Sequence, residues 1–123
     1  MRVIPMPADT NFHGDIFGGW LLGQVDLAGS VAAVRRAKGR VATVGIESLS
    51  IKAAVHVGDL VSLYASVIAT GTTSIKVRIE VFAQRNPADE KTIKVTEALV
   101  TYVAVGRDGA KRPLLSAEMP RAT

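Results

Sequence analysis

The chain has 123 residues and no cysteine. That excludes disulfides and thiolate-held metals, and it is compatible with a reducing compartment. Aromatic residues are 5% of the total, so a core must be built mainly from Val, Ala, Leu and Ile. No long hydrophobic run is present. The most apolar stretch, 20–34, is interrupted by Gln24, Asp26 and Ser30 and falls short of the ~20 residues a membrane span requires. The opening MRVIPMPAD has neither an extended apolar segment nor a small-residue cleavage site, so no signal peptide is expected and a cytoplasmic location is. Two histidines far apart supply no metal-ligand spacing, and no metal is expected. Phosphate-binding P-loops and dinucleotide fingerprints are also missing. The basic residues Lys76, Arg78, Arg85, Lys91 and Lys94 are not interleaved with aromatics, which argues against nucleic acid.

What is there suits one domain, residues 1–123, with a real core. The net charge of +4 fits a polyanionic ligand and equally fits ordinary solubility charge. A short strand is placed in 1–8 and a loop in 9–17. A helix is expected over 18–36, closing on Arg35, Arg36 and Lys38 before Gly39, with cations complementing the helix dipole and glycine as the stop. It is apolar on nearly every face, which predicts a helix surrounded by core. The period then changes. Strands are expected over 40–51, 60–69, 73–84 and 92–105, the third alternating Ile75, Val77, Ile79, Val81 against Ser74, Lys76, Arg78, Glu80. Residues 56–59 and 86–91 read as turns, and the tail after about 113 as loose. One buried helix followed by strands on short turns predicts an α+β fold with an antiparallel sheet wrapped around one long central helix.

Three features carry candidate chemistry. Gly18 and Gly19 open the helix, where unpaired N–H groups and partial positive charge meet. Without side chains they let a ligand carbonyl approach, as in an oxyanion hole, or they merely make a tight loop-to-helix turn. Asp26 stands in mid-helix, either as a reactive carboxylate or as a buried group bonded to backbone or an arginine. It lies eight residues beyond Gly18, ~12 Å along the axis. One helix therefore cannot aim both groups at one carbonyl, whereas two antiparallel helices across a twofold axis can. Ser30, one turn on, shares the face of Asp26 and is placed to orient the carboxylate or a water. Asn11 in the loop can hold a water or a carbonyl, or serve as a turn residue. His13 is a possible base or a solvated loop residue. Asp15 is expected to cap or charge the helix start, and Glu47 to act as a structural partner.

The stretch MPADTNFHGDIFGGWLLGQVDLAG, followed by RVATVGIES, VHVGDLVSLYASV, GTTSIKV and VTEALVTYVAV, resembles acyl-CoA thioesterases of the YciA type in the hot-dog-fold superfamily. The resemblance runs to about residue 113. It implies a hot-dog fold that works as a homodimer, often as a trimer of dimers. It also implies hydrolysis of acyl-CoA to a free acid and coenzyme A. It places the general base or nucleophile on Asp26, the carbonyl-polarising amide on Gly18 or Gly19 of the partner chain, and a loop asparagine on Asn11. Thr43 and Ser30 are expected in support. Ser74, Lys76, Arg78, Arg107, Lys111 and Arg112 are candidates to meet the CoA moiety. No cofactor is implied, since coenzyme A belongs to substrate and product.

The chain departs from its relatives after the ES pair. It reads Ser50-Ile51-Lys52-Ala53-Ala54 where a pattern like Phe-x-Lys-Pro is usual, and Thr72 stands where an arginine is common. Two other functions fit the residues less well. A hot-dog enoyl-CoA hydratase would carry Asp-x-Asn-Pro-x-His, but DTNFH lacks the proline and brings His13 one residue too near Asp9. A non-catalytic acyl-CoA binder or regulatory module would not need a carboxylate at the thioester.

Overall fold

The computed structural model describes residues 1–16, 18–85 and 91–115. A two-residue strand β1 (Arg2–Val3) and a single 3-10 turn (Pro7–Asp9) precede the helix α1 (Gly18–Ala37). Four long strands follow: β2 (Val41–Ile51), β3 (Leu60–Thr70), β4 (Ser74–Gln84) and β5 (Ile93–Ala104). All pairings are antiparallel, in the spatial order β1-β3-β4-β5-β2. The expected turn at 86–91 lies, apart from Lys91, outside the described residues.

The alternation read in β4 is the one that builds the core. Ile75, Val77, Ile79 and Val81 are fully buried. Their cross-strand partners in β5 include Tyr102, Val100 and Ala98, also buried. Residues opposite one another in a ladder point to the same face, so these rows form one apolar surface. Against it α1 lays Leu21, Val25, Ala28, Gly29, Ala33 and Ala37. Gly29 is required there: a Cβ would overlap the Tyr102 hydroxyl and come within 3.1 Å of Ile79 Cδ1.

Two expectations change. The helix was read as apolar all round and therefore enclosed, but in the single chain the sheet covers only one side of it. Leu27 and Val31 remain 54% and 46% exposed, and Val34 is exposed beside them. The helix packs chiefly over β3 and β4, which leaves most of β2 exposed. Ile46, Leu49 and Ile51 pair with Val100, Ala98 and Thr96, and so face the helix side, yet all three are exposed. The second change is at the helix end. The left-handed residue is Lys38 (φ 58), not Gly39. The bare Cα of Gly39 instead gives room to Arg112, whose Nη2 would lie 2.8 Å from a Cβ there. Of the tail expected to be loose after about 113, its first two residues are anchored: Leu114 N donates to Thr72 O at 2.8 Å, and Leu115 O accepts from Arg36 Nη2 at 3.1 Å; 116–123 lie outside the described residues.

Candidate active site

α1 starts at Gly18 with both glycines exposed, and a Cβ added to either would meet no atom within 4 Å. The first turn of the helix is therefore uncrowded on the side where side chains would stand, and helix starts in general carry unpaired N–H groups. The approach to this end is shaped by the loop before it. Asn11 Oδ1 accepts from His13 N at 2.9 Å and Asp15 N at 3.1 Å, and Asn11 N donates to Asp15 O at 2.6 Å. Asn11 thus closes its own turn through its side-chain carbonyl. Ile16 is buried and donates its amide to Val55 O at 3.1 Å, which ties the loop to the β2–β3 connection.

Asp15, expected at the helix start, instead directs its carboxylate to His56 Nδ1 at 3.7 Å. Next to His56 lies Asp59, 2% exposed, accepting from His56 N at 2.9 Å and pairing with Arg85 Nε at 3.5 Å. Arg85 Nη2 also donates to Ala54 O at 2.6 Å. The 56–59 turn is thus held by the buried Asp59 carboxylate, while the exposed His56 ties it to the loop before the helix. His13 is exposed.

Two turns further along α1, Asp26 is half-buried on the β2 side. Thr43 Oγ1 donates to Asp26 Oδ1 at 2.8 Å. From below, the Tyr102 hydroxyl donates to the Asp26 main-chain carbonyl at 2.8 Å. Burial first, and the charge of Asp26 second, push the Tyr102 hydroxyl well above its ordinary 10.0. Ser30 does not turn to Asp26: its hydroxyl proton goes back to Leu27 O at 2.7 Å, a common use of serine inside helices.

The basic candidates divide. Ser74 and Lys76 line a cleft of about 360 Å³ together with Glu47, Thr70 and Thr101. Lys76 Nζ pairs with Glu47 Oε2 at 3.0 Å, and Thr101 Oγ1 donates to Glu47 Oε1 at 2.9 Å. These two contacts, the lysine's first, hold Glu47 below its ordinary value of 4.5. Lys76 and Arg78 alternate with the buried Ile75, Val77 and Ile79, so in the single chain the sheet stands between them and Asp26. Arg112 holds the end of the helix: Nη2 donates to Ala37 O at 2.8 Å and Nε to Val105 O at 3.2 Å. Arg107 accepts at its carbonyl from Arg40 Nη1 at 3.4 Å, and Lys111 is exposed. Among the described residues no three His, Asp or Glu side chains gather as a metal site would need.

Sequence reasoning missed Tyr102 and the clamp around Asp59. A signal for the first was available: a lone tyrosine in an otherwise aliphatic buried strand needs a partner for its hydroxyl.

An antiparallel sheet packed against one long helix is the hot-dog fold. The chain belongs to the thioesterase superfamily, whose family model matches residues 13–88. It is 47% identical over 116 residues to the acyl-CoA thioester hydrolase YciA of Salmonella typhimurium, covering 93% of this chain and 87% of that one. To the Escherichia coli K12 protein of the same name the identity is 45%, covering 93% and 88%. Among solved structures, a hexameric hotdog fold thioesterase of Campylobacter jejuni is 46% identical with a TM-score of 0.90, over 99% of this chain and 92% of that one. A hexameric thioesterase from Yersinia pestis gives 44% and 0.89, over 95% and 94%. Among the described residues no helix is long and apolar enough to cross a membrane.

Proposed function

We propose that the protein hydrolyses acyl-CoA thioesters to a free carboxylic acid and coenzyme A, with Asp26 as general base or nucleophile. The observation that carries this is the Asp26 carboxylate itself. It is held by Thr43, borders the uncovered side of the helix and sheet, and has no cation bound to it among the described residues. A carboxylate kept free of a structural ion pair is available to take a proton. In the general-base course, Asp26 accepts a proton from water as the water oxygen attacks the thioester carbonyl carbon. The carbonyl electrons move to oxygen, and the resulting oxyanion is met by the amide of Gly18 or Gly19. Collapse expels the CoA thiolate, which takes up the proton. In the nucleophilic course, the Asp26 carboxylate attacks the thioester carbonyl and the CoA thiolate leaves, giving a mixed anhydride; water then cleaves it, releasing the acid and restoring the Asp26 carboxylate.

The amide comes from the partner chain. Gly18 and Asp26 are ~12 Å apart on one helix, while reacting atoms must approach to ~3–3.5 Å. The exposed Leu27, Val31, Ile46, Leu49 and Ile51, next to the unpaired edge of β2, supply a self-complementary surface for a homodimer. Assembly as a trimer of dimers agrees with the hexameric relatives. The reaction needs no cofactor. The test is Asp26→Asn, followed by release of CoA with a thiol reagent. Turnover is expected to fall at least ~100-fold with folding and assembly kept. Near-wild-type turnover would make Asp26 structural.

A further inference from the structure

Thr43 and Tyr102 are direct cross-strand partners in the β2–β5 ladder. Both send a hydroxyl to Asp26, one to its carboxylate and one to its main-chain carbonyl, each at 2.8 Å. We infer that Tyr102 is a positioning residue for the Asp26 carboxylate, forming with Thr43 a two-point clamp that fixes both ends of the same residue. The inference rests on the hydrolytic role proposed for Asp26.

The local chemistry favours positioning over filling. Phenylalanine has nearly the same volume and would fill the fully buried space of Tyr102 without a polar group to satisfy. The carbonyl that the hydroxyl reaches already has a place in the helix ladder, as acceptor for the amide four residues on. The hydroxyl is therefore not needed to rescue an orphaned group. It also imposes a glycine at position 29, because any Cβ there would overlap it, and glycine is the poorest helix former after proline. The chain thus keeps a buried hydroxyl and a helix-weakening glycine around one contact under Asp26. Together they set the depth at which the 26–29 turn rests on the sheet. Since Tyr102 and Thr43 share one rung of the ladder, that depth and the direction of the carboxylate are referred to the same rigid point.

The test uses the full-length protein and acyl-CoA hydrolysis. Tyr102→Phe is expected to lower kcat about 10-fold, less than the ~100-fold that a larger misplacement brings, with KM within about twofold of wild type and the assembly unchanged. In an Asp26→Asn background the same substitution should produce no further loss, since it acts through the carboxylate. Gly29→Ala supplies an independent arm. Alone it should lower the thermal midpoint; combined with Tyr102→Phe, which removes the overlapping oxygen but leaves the 3.1 Å approaches to Ile79 Cδ1 and the ring Cζ, the midpoint should recover in part while kcat stays at the Tyr102→Phe level. Wild-type kcat in Tyr102→Phe overturns the inference. So does a full multiplicative loss on top of Asp26→Asn, a recovery of kcat in the double variant, or a collapse of folding in Tyr102→Phe that marks the hydroxyl as structural. If Asp26→Asn itself stays active, the proposed reaction fails and this inference falls with it, a result distinguishable from failure of Tyr102 alone.

Discussion

Two inactive variants should restore activity when mixed, provided that each active site draws its carboxylate and its amide from different chains. The variants are Asp26→Asn, which removes the base, and Gly18→Val, which places a branched side chain over the helix start. The second should fold, because a Cβ at Gly18 meets no atom within 4 Å. The magnitude comes from the helix geometry. The ~12 Å of axial separation on one helix exceeds reacting distances several-fold, so the proposed reaction requires Asp26 of one chain with Gly18 of the other. After unfolding and refolding a 1:1 mixture, a working site needs its carboxylate from a Gly18→Val chain and its amide from an Asp26→Asn chain. Random pairing meets each condition half the time, giving about a quarter of wild-type activity. The ratio is the same for an isolated dimer and for a trimer of dimers. CoA release measures it, and mixed assemblies can be verified by tagging one variant and recovering the other with it. If mixed assemblies form and stay as inactive as either parent, each site is built within one chain and the geometric reasoning is wrong.

Ile46→Lys or Leu49→Lys places a charge on the exposed inner face of β2. Light scattering should then report a smaller species with CoA release lost in parallel; unchanged mass and activity would move the interface elsewhere. Charge removal at Arg78, Arg107 or Lys111 should raise KM for acyl-CoA and barely alter turnover of a short pantetheine thioester, whereas Arg112→Ala should lower stability by about 2 kcal/mol by freeing the Ala37 and Val105 carbonyls. Equal effects on both substrates would refute the phosphate role, and an unchanged denaturation midpoint the structural one. The pH limbs of stability have opposite signs. Glu47 is held below 4.5, so its contribution is present above that value and is lost as pH falls through the lower folded value; Lys76→Met should move its NMR titration upward. Tyr102 is held above 10.0, so its contribution is present below pH 10 and is lost as pH rises further. Tyr102→Phe should flatten that alkaline decline, and an unchanged slope would refute the assignment.

Local signals in the chain determine most of its elements. The two-residue alternation of β4 is settled by side chains next to one another in sequence, and the structure buries the row it marks. The apolar helix behind a glycine pair is equally local, and its span, Gly18–Ala37, departs by one residue from the expected one. The stretch around Asp26 that carries the family resemblance is likewise contiguous. What tertiary structure alone decides are contacts between residues far apart along the chain. Tyr102 meets Asp26 across 76 positions, and Arg112 meets Ala37 across 75. Neither partner has any local feature that selects the other. The β2–β5 register that puts Thr43 opposite Tyr102 also passes through irregularities at 43–45 and 46–48. Each of these shifts the pairing, and counting along an ideal strand does not carry through them. The helix end shows the same division. Glycine at 39 reads locally as a left-handed stop, yet Lys38 takes that conformation, and the missing Cβ of Gly39 leaves room for a guanidinium from the far end of the chain. Backbone preference is a property of neighbours in sequence, while the space a side chain must leave empty is set by whatever folds against it.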